Sequence, residues 1–140
     1  MLSAVWGSCM GSKCVAVIED ESDLLHMICD LLVISGYQVI AISHPDLMEV
    51  AIADTSPDLF LMNVMLRGRT GIEVAQQLRR DGYTDTPIIA MSASPTMLAL
   101  ARRSGMFQDE IDKPFDVDVV LHTIEHYLPL SGGPSSRGGC

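Results

Sequence analysis

At 140 residues the chain is long enough for one domain and short for two, and an apolar content of 48% fills a real core, which excludes wholesale disorder. Nine Lys and Arg against 18 Asp and Glu leave a formal charge of −9. That balance argues against a nucleic-acid partner, which needs a basic face, and against polybasic attachment to an anionic membrane.

Residues 1–11 include Val5 and Trp6 but neither a basic start nor a long apolar stretch. They read as a disordered arm or cloning remnant rather than a secretory leader. The predicted folded unit runs from 12 to 130. Its first strand is the apolar, β-branched run Cys14–Ile18, which stops at Glu19, Asp20 and Glu21. Ser22 or Asp23 can cap the helix that follows, with Leu24, Leu25, Ile28, Leu31 and Leu32 on one face and Gly36 as the stop. Tyr37–Ile42 predicts a second strand. Pro45 opens a short helix through Ala53, at a position where its missing N–H costs nothing. Leu59–Met62 predicts a third strand ending at Asn63. After a turn at Arg67–Gly71, Ile72, Val74, Ala75 and Leu78 line a helix that finishes in Arg79 and Arg80, cations suited to its C-terminal dipole. Pro87–Met91 predicts a fourth strand ending at Ser92. Pro95 begins a helix through Arg103, closed by Gly105, and Asp109–Ile111 is a weak fifth strand. Lys113, Pro114 and Phe115 lead into a last helix from Asp116 to Leu128. Residues 131–140 are rich in Gly and Ser and read as a flexible tail.

Strands without an exposed face alternating with helices imply an α/β three-layer sandwich around a parallel sheet. A chain of this length leaves no room for a separate output domain. No run approaches the roughly 18–20 apolar residues of a membrane-spanning helix. Cys9, Cys14, Cys29 and Cys140 form no CxxC pair and match no zinc or disulfide framework, so a reduced, cytoplasmic protein is expected.

In an open parallel sheet, ligands bind beyond the carboxyl ends of the strands. The predicted strand ends bring Glu19 and Asp20, Asn63, Ser92 and Lys113. The acidic pair suits a hard divalent cation, which prefers oxygen ligands; a hydroxyl and an ammonium across from it suit a phosphoryl group. Singly, each has a plainer reading, acids after a strand being commonly a solvated turn and a lysine before proline commonly surface.

As a set they resemble the receiver domain of two-component response regulators. The resemblance runs over residues 13–128, on Val17–Glu21, Pro57–Leu66, Gly71–Val74, Pro87–Ala93 and Lys113–Phe115. It implies a flavodoxin-like (βα)5 fold with strand order 2-1-3-4-5. It also implies magnesium held by Glu19, Asp20, the position of Asn63 and the backbone carbonyl of Met65. Ser92 would be the switch hydroxyl and Lys113 the phosphoryl-pairing lysine, followed by a cis proline at Pro114. The implied partners are a histidine kinase or phosphotransfer protein and a downstream target protein.

The sequence departs from the pattern where the chemistry is. The phosphoacceptor aspartate is Asn63, and a carboxamide cannot form the acyl phosphate that a carboxylate nucleophile forms. Removing one negative charge also weakens the expected magnesium site. The aromatic switch position, three before the lysine, is Glu110, and the turn usually written Pro-Gly is Arg67-Gly68. Two accounts of Asn63 stand side by side. An engineered Asp-to-Asn change fits the otherwise intact site, whereas a natural pseudo-receiver fits Glu110 and the altered turn. The expected function is therefore a signalling and binding module, not an enzyme, with its phosphorylation blocked. The alternatives are a phosphorylation-independent adaptor binding a kinase or target and, remotely, a flavodoxin-like enzyme that binds a metal or cofactor.

Weaker signals have plainer explanations. His122 and His126 stand at i, i+4 on the last helix, but no third metal ligand is evident. His26 interrupts the apolar positions of the first helix and reads as a partly buried or boundary residue. Met91, Met97 and Met106 fall toward the family's usual docking side, where core filling is the commoner role. Arg102 and Arg103 could form a rim for an acidic partner.

Overall fold

The computed structural model describes residues 3–6 and 13–130. The elements are β1 (Ser3–Trp6), β2 (Cys14–Ile18), α1 (Ser22–Ile34), β3 (Gln38–Ile42), a 3-10 turn (Pro45–Leu47) running into α2 (Met48–Ile52), β4 (Leu59–Asn63), α3 (Gly71–Arg80), β5 (Ile88–Ser92), α4 (Pro95–Ser104), β6 (Asp109–Asp112) and α5 (Val117–Tyr127). The sheet order is β1-β3-β2-β4-β5-β6. The five parallel strands β2 to β6 therefore follow the expected 2-1-3-4-5 order, each paired in parallel with its neighbours.

The sixth strand corrects the reading of the N-terminus. Ser3–Trp6 is not part of a disordered arm; it pairs antiparallel with β3, Ser3 opposite Ile42 and Trp6 opposite Val39. An otherwise open sheet edge presents unpaired N–H and C=O groups that a short extended segment can satisfy. The rest of the expected arm, the tail over 131–140, and Cys9 and Cys140 lie outside the described residues.

Strand alternation divides the core. Val15, Val17, Val39, Leu61, Ile89, Met91 and Ile111 face Leu25, Ile28 and Leu32 of α1 and Val120 and Ile124 of α5. Ala16, Ile18, Ile40, Ile42, Phe60, Met62 and Ile88 face Met48, Val74 and Leu78 on the other side. Val64 and Ala90 extend that side to Leu98 and Ala101 of α4. Successive strand residues point to opposite faces, so a strand covered by helices on both faces must be apolar throughout. All five residues of β2, β4 and β5 are buried. Met91 accordingly belongs to the core, not to a docking surface.

The helix ends account for their positions. Thr70 and Glu73 form a reciprocal capping box at the start of α3. Ser94 caps α4, its hydroxyl accepting from Met97 N, and Gly105 ends that helix in the left-handed conformation (φ 72°). The expected cap on α1 differs. Glu21 is the N-cap residue, Ser22 is already helical, and no side chain caps that end. His26 is exposed, with its Nδ1 2.9 Å from the Ser22 carbonyl. Among the described residues, no helix is long and apolar enough to cross a membrane.

Candidate functional site

The strand register sets the candidate residues side by side at one edge of the sheet. Asn63 is level with Met91, and Ser92 with Asp112. Glu19 and Asp20 leave the end of β2, Asn63 ends β4, Ser92 ends β5 and Lys113 follows β6. Close packing of the start of α3 holds the β4 end in place. A Cβ at Gly71 would fall 2.7 Å from the Asn63 carbonyl oxygen and 2.9 Å from Val64 Cα, so only glycine allows the helix this close.

Three of the expected residues form one buried network. Glu19 is 1% exposed. Its Oε1 accepts from Lys113 Nζ at 3.0 Å, and its Oε2 accepts from Asn63 Nδ2 and from the backbone N–H of Glu21, both at 3.1 Å. A buried carboxylate is tolerable only when donors replace its lost water, and three do so here. Asn63 is equally engaged. Its Oδ1 accepts from Met65 N at 3.2 Å while its Nδ2 faces Glu19. The reverse amide orientation would set an NH2 against an N–H and an oxygen against a carboxylate, so the hydrogen bonds fix which end faces the acid.

Other expected residues stand nearby but apart. Ser92 is buried, and its hydroxyl accepts from Ser94 N at 3.0 Å, while its carbonyl accepts from Lys113 N at 2.9 Å. The Lys113–Pro114 peptide is cis, as the resemblance implies. Glu110 does not enter the site. Its carboxylate accepts two bonds from the Arg102 guanidinium of α4, one of them from Nε at 3.1 Å and the other from NH2. This pairing holds the Arg102 pKa above its ordinary value, first through the hydrogen bond and then through the charge of Glu110. Arg102 is thus paired with Glu110 while its side chain stays 63% exposed.

Arg67 is the site residue that sequence reasoning missed. Its backbone N–H donates to Asp20 Oδ2 at 3.1 Å, and its Nε lies 3.8 Å from the same oxygen. The only signal for it was the altered turn itself, which puts a cation where the family pattern has none.

The donor set tests the expected magnesium site. A divalent cation takes carboxylate and carbonyl oxygens that are free to turn toward it. Here both Glu19 oxygens are engaged by donors, the Asn63 amide presents nitrogen to Glu19, and Asp20 carries Arg67. Among the described residues no group of three His, Cys, Asp or Glu side chains comes together for a metal, the helix pair His122 and His126 included. In this arrangement the residues do not fit the ion.

Comparison with known proteins settles the family. A model of the response regulator receiver domain matches residues 15–125. The chain belongs to that family. It is 30% identical to the phosphate regulon transcriptional regulatory protein PhoB of Pseudomonas aeruginosa, over 92% of this chain and 69% of that protein. It is 32% identical to the polar-differentiation response regulator DivK of Brucella ovis, over 84% of this chain and 97% of that one. It spans only 35–51% of the length of further transcriptional regulators that it matches. In fold it is similar to the chemotaxis protein CheY4 of Vibrio cholerae, with a TM-score of 0.77 at 21% identity, covering 84% of this chain and all of that one. The receiver is a signalling module of two-component systems, and the flavodoxin-like fold read from the sequence is the fold it has.

Proposed function

We propose that this receiver domain acts as a binding module in two-component signalling whose acyl-phosphate chemistry is stopped at Asn63. One observation carries the reading. The side chain at the phosphoacceptor position is a carboxamide whose oxygen is bound to Met65 N and whose nitrogen is bound to Glu19. A nucleophile needs an accessible electron pair and must yield a stable product. The neutral oxygen here is a poor donor, and phosphoryl transfer to it gives no acyl phosphate. Ser92 and Lys113 keep the places of switch hydroxyl and phosphoryl-pairing lysine, but Lys113 neutralises Glu19.

Receiver domains generally bind Mg2+. The set expected to hold it, Glu19, Asp20, the Asn63 amide oxygen and the Met65 carbonyl, lacks the Asn63 charge and has both acids engaged by the chain's own donors, and we propose that it has lost its affinity for the ion. The proposed partners are a histidine kinase or phosphotransfer protein and a downstream target protein. The proposed compartment is the cytoplasm, where the buried thiols of Cys14 and Cys29 remain reduced.

A phosphorylation-independent adaptor role is supported by a second observation. Glu110 replaces the aromatic switch and is held by Arg102, so the element that reports phosphorylation elsewhere in the family is tied down here by an ion pair.

The test is intact mass after incubation with magnesium and a small phosphodonor. The wild-type protein should remain unlabelled, and the Asn63→Asp variant should gain one phosphoryl group. A stable label on the wild-type chain would contradict the proposal.

A further inference from the structure

We infer that the acidic site is closed by this chain's own donors and cations in place of a divalent metal, and that Arg67 is the residue that holds the metal off Asp20. The inference rests on the reading of Asn63 given above and adds a residue which that reading does not use.

The two carboxylates at the strand end face two cations of the chain. Glu19 faces Lys113 at 3.0 Å and Asp20 faces Arg67 at 3.8 Å. The remaining negative charge that a metal would meet in an ordinary acidic triad is absent, because the third member is the Asn63 amide. That amide supplies a donor to Glu19 instead of a third negative oxygen. For Glu19 to turn toward a metal it must release Lys113 or the Asn63 amide. For Asn63 to point its oxygen to the side where Glu19 lies it must turn its NH2 away from a buried carboxylate. Each release leaves a buried polar group short of a partner, which costs free energy comparable to a lost hydrogen bond.

Asp20 is the more accessible acid, its side chain 16% exposed, and there the barrier is electrostatic. Its Oδ2 already accepts the Arg67 N–H, and the guanidinium stands beside that oxygen. A dication reaching Asp20 therefore meets a like charge at close range. The Arg67 side chain is 77% exposed, so water screens it and its effect belongs to the scale of a surface ion pair. It lowers divalent affinity several-fold, while Asn63 and Lys113 do the rest. This makes the conformation of the site indifferent to magnesium, a property suited to a receiver that is recognised without being phosphorylated.

The experiment is a titration with MgCl2, against NaCl at matched ionic strength, followed by backbone and Asn63 side-chain amide shifts. It compares wild type, Asn63→Asp, and Asn63→Asp combined with Arg67→Ala. Wild type should show no saturable shift at residues 19, 20 or 63–67 up to tens of millimolar. Asn63→Asp should bind saturably, and the double variant should bind roughly three- to tenfold more tightly than Asn63→Asp. A saturable shift in wild type overturns the inference, as does equal affinity of the two variants or binding by neither. The wild-type titration decides the main point even if a variant fails to fold. A wild-type chain that binds magnesium yet takes no phosphate overturns this inference alone and leaves the block at Asn63 standing.

Discussion

At Asn63 a change of one functional group reverses the local physics. A carboxylate there would sit against Glu19 as a like charge, whereas the amide donates to Glu19 and accepts from Met65 N. The same rule, that buried polar groups need partners, governs Tyr37. Its ring is buried and its hydroxyl donates to the Leu128 carbonyl at 2.8 Å, joining the start of β3 to the end of α5. Burial pushes its pKa up to about 12, with the charge of Glu125 adding to the effect. The neutral form is thus favoured in the fold more than in the unfolded chain. Its stabilisation is fully present below the ordinary value of 10 and is lost as pH rises from there through about 12. Burial likewise raises Cys14 to about 11 and Cys29 to about 12 from an ordinary 9.0, so alkaline loss of stability begins with the thiols. Tyr37→Phe should cost about 1–2 kcal/mol near neutral pH, through the unpaired Leu128 carbonyl. It should also flatten the part of the alkaline decline above pH 10. Urea melts across that range would show both, and an unchanged alkaline slope would contradict the assignment.

Elements were largely legible in the sequence because their signals are local. Continuous apolar runs marked β2, β4 and β5, Pro95 marked the start of α4, and Gly105 its end. The misses share a cause. The β1 strand is defined by the open edge of β3 rather than by any pattern of its own, and Arg79 is defined by segments that only topology brings together. In sequence Arg79 reads as a cation favourable to the end of α3. In the fold its guanidinium donates to the carbonyls of Tyr83, Thr84, Thr86 and Met106 and to Gln108 Oε1, whose oxygen also accepts from Ile88 N. Burial lowers its pKa, against the opposing charge of Asp85. One side chain thereby pins the loop before β5 to the loop before β6. Arg79→Ala should destabilise the domain by at least about 2 kcal/mol, since several charge-assisted bonds go at once. Hydrogen exchange should rise in both 83–88 and 106–108. Protection lost in only one loop would show that the two are not coupled through this residue.

For the molecule as a whole, the order of strands carried most of the site into view before any coordinates. Once five strand ends were in register, Glu19, Asp20, Asn63, Ser92 and Lys113 had to lie on one edge. What the order could not convey is which way each side chain turns. Lys113 and Asn63 converge on Glu19, Ser92 turns to Ser94, and Glu110 leaves for Arg102. Those choices depend on charge balance among residues far apart in the chain. Most of the net charge of −9 is ordinary surface; the missing charge at Asn63 is the consequential one. In the proposed reading no phosphoryl group acts through this site. It is tested most directly by amide NMR spectra recorded with magnesium, with and without beryllofluoride as a phosphoryl mimic. The wild-type spectrum should stay unchanged, and Asn63→Asp should show shifts at residues 19–20, 63–67, 92 and 113. Saturable beryllofluoride shifts at those positions in the wild-type protein would contradict that reading.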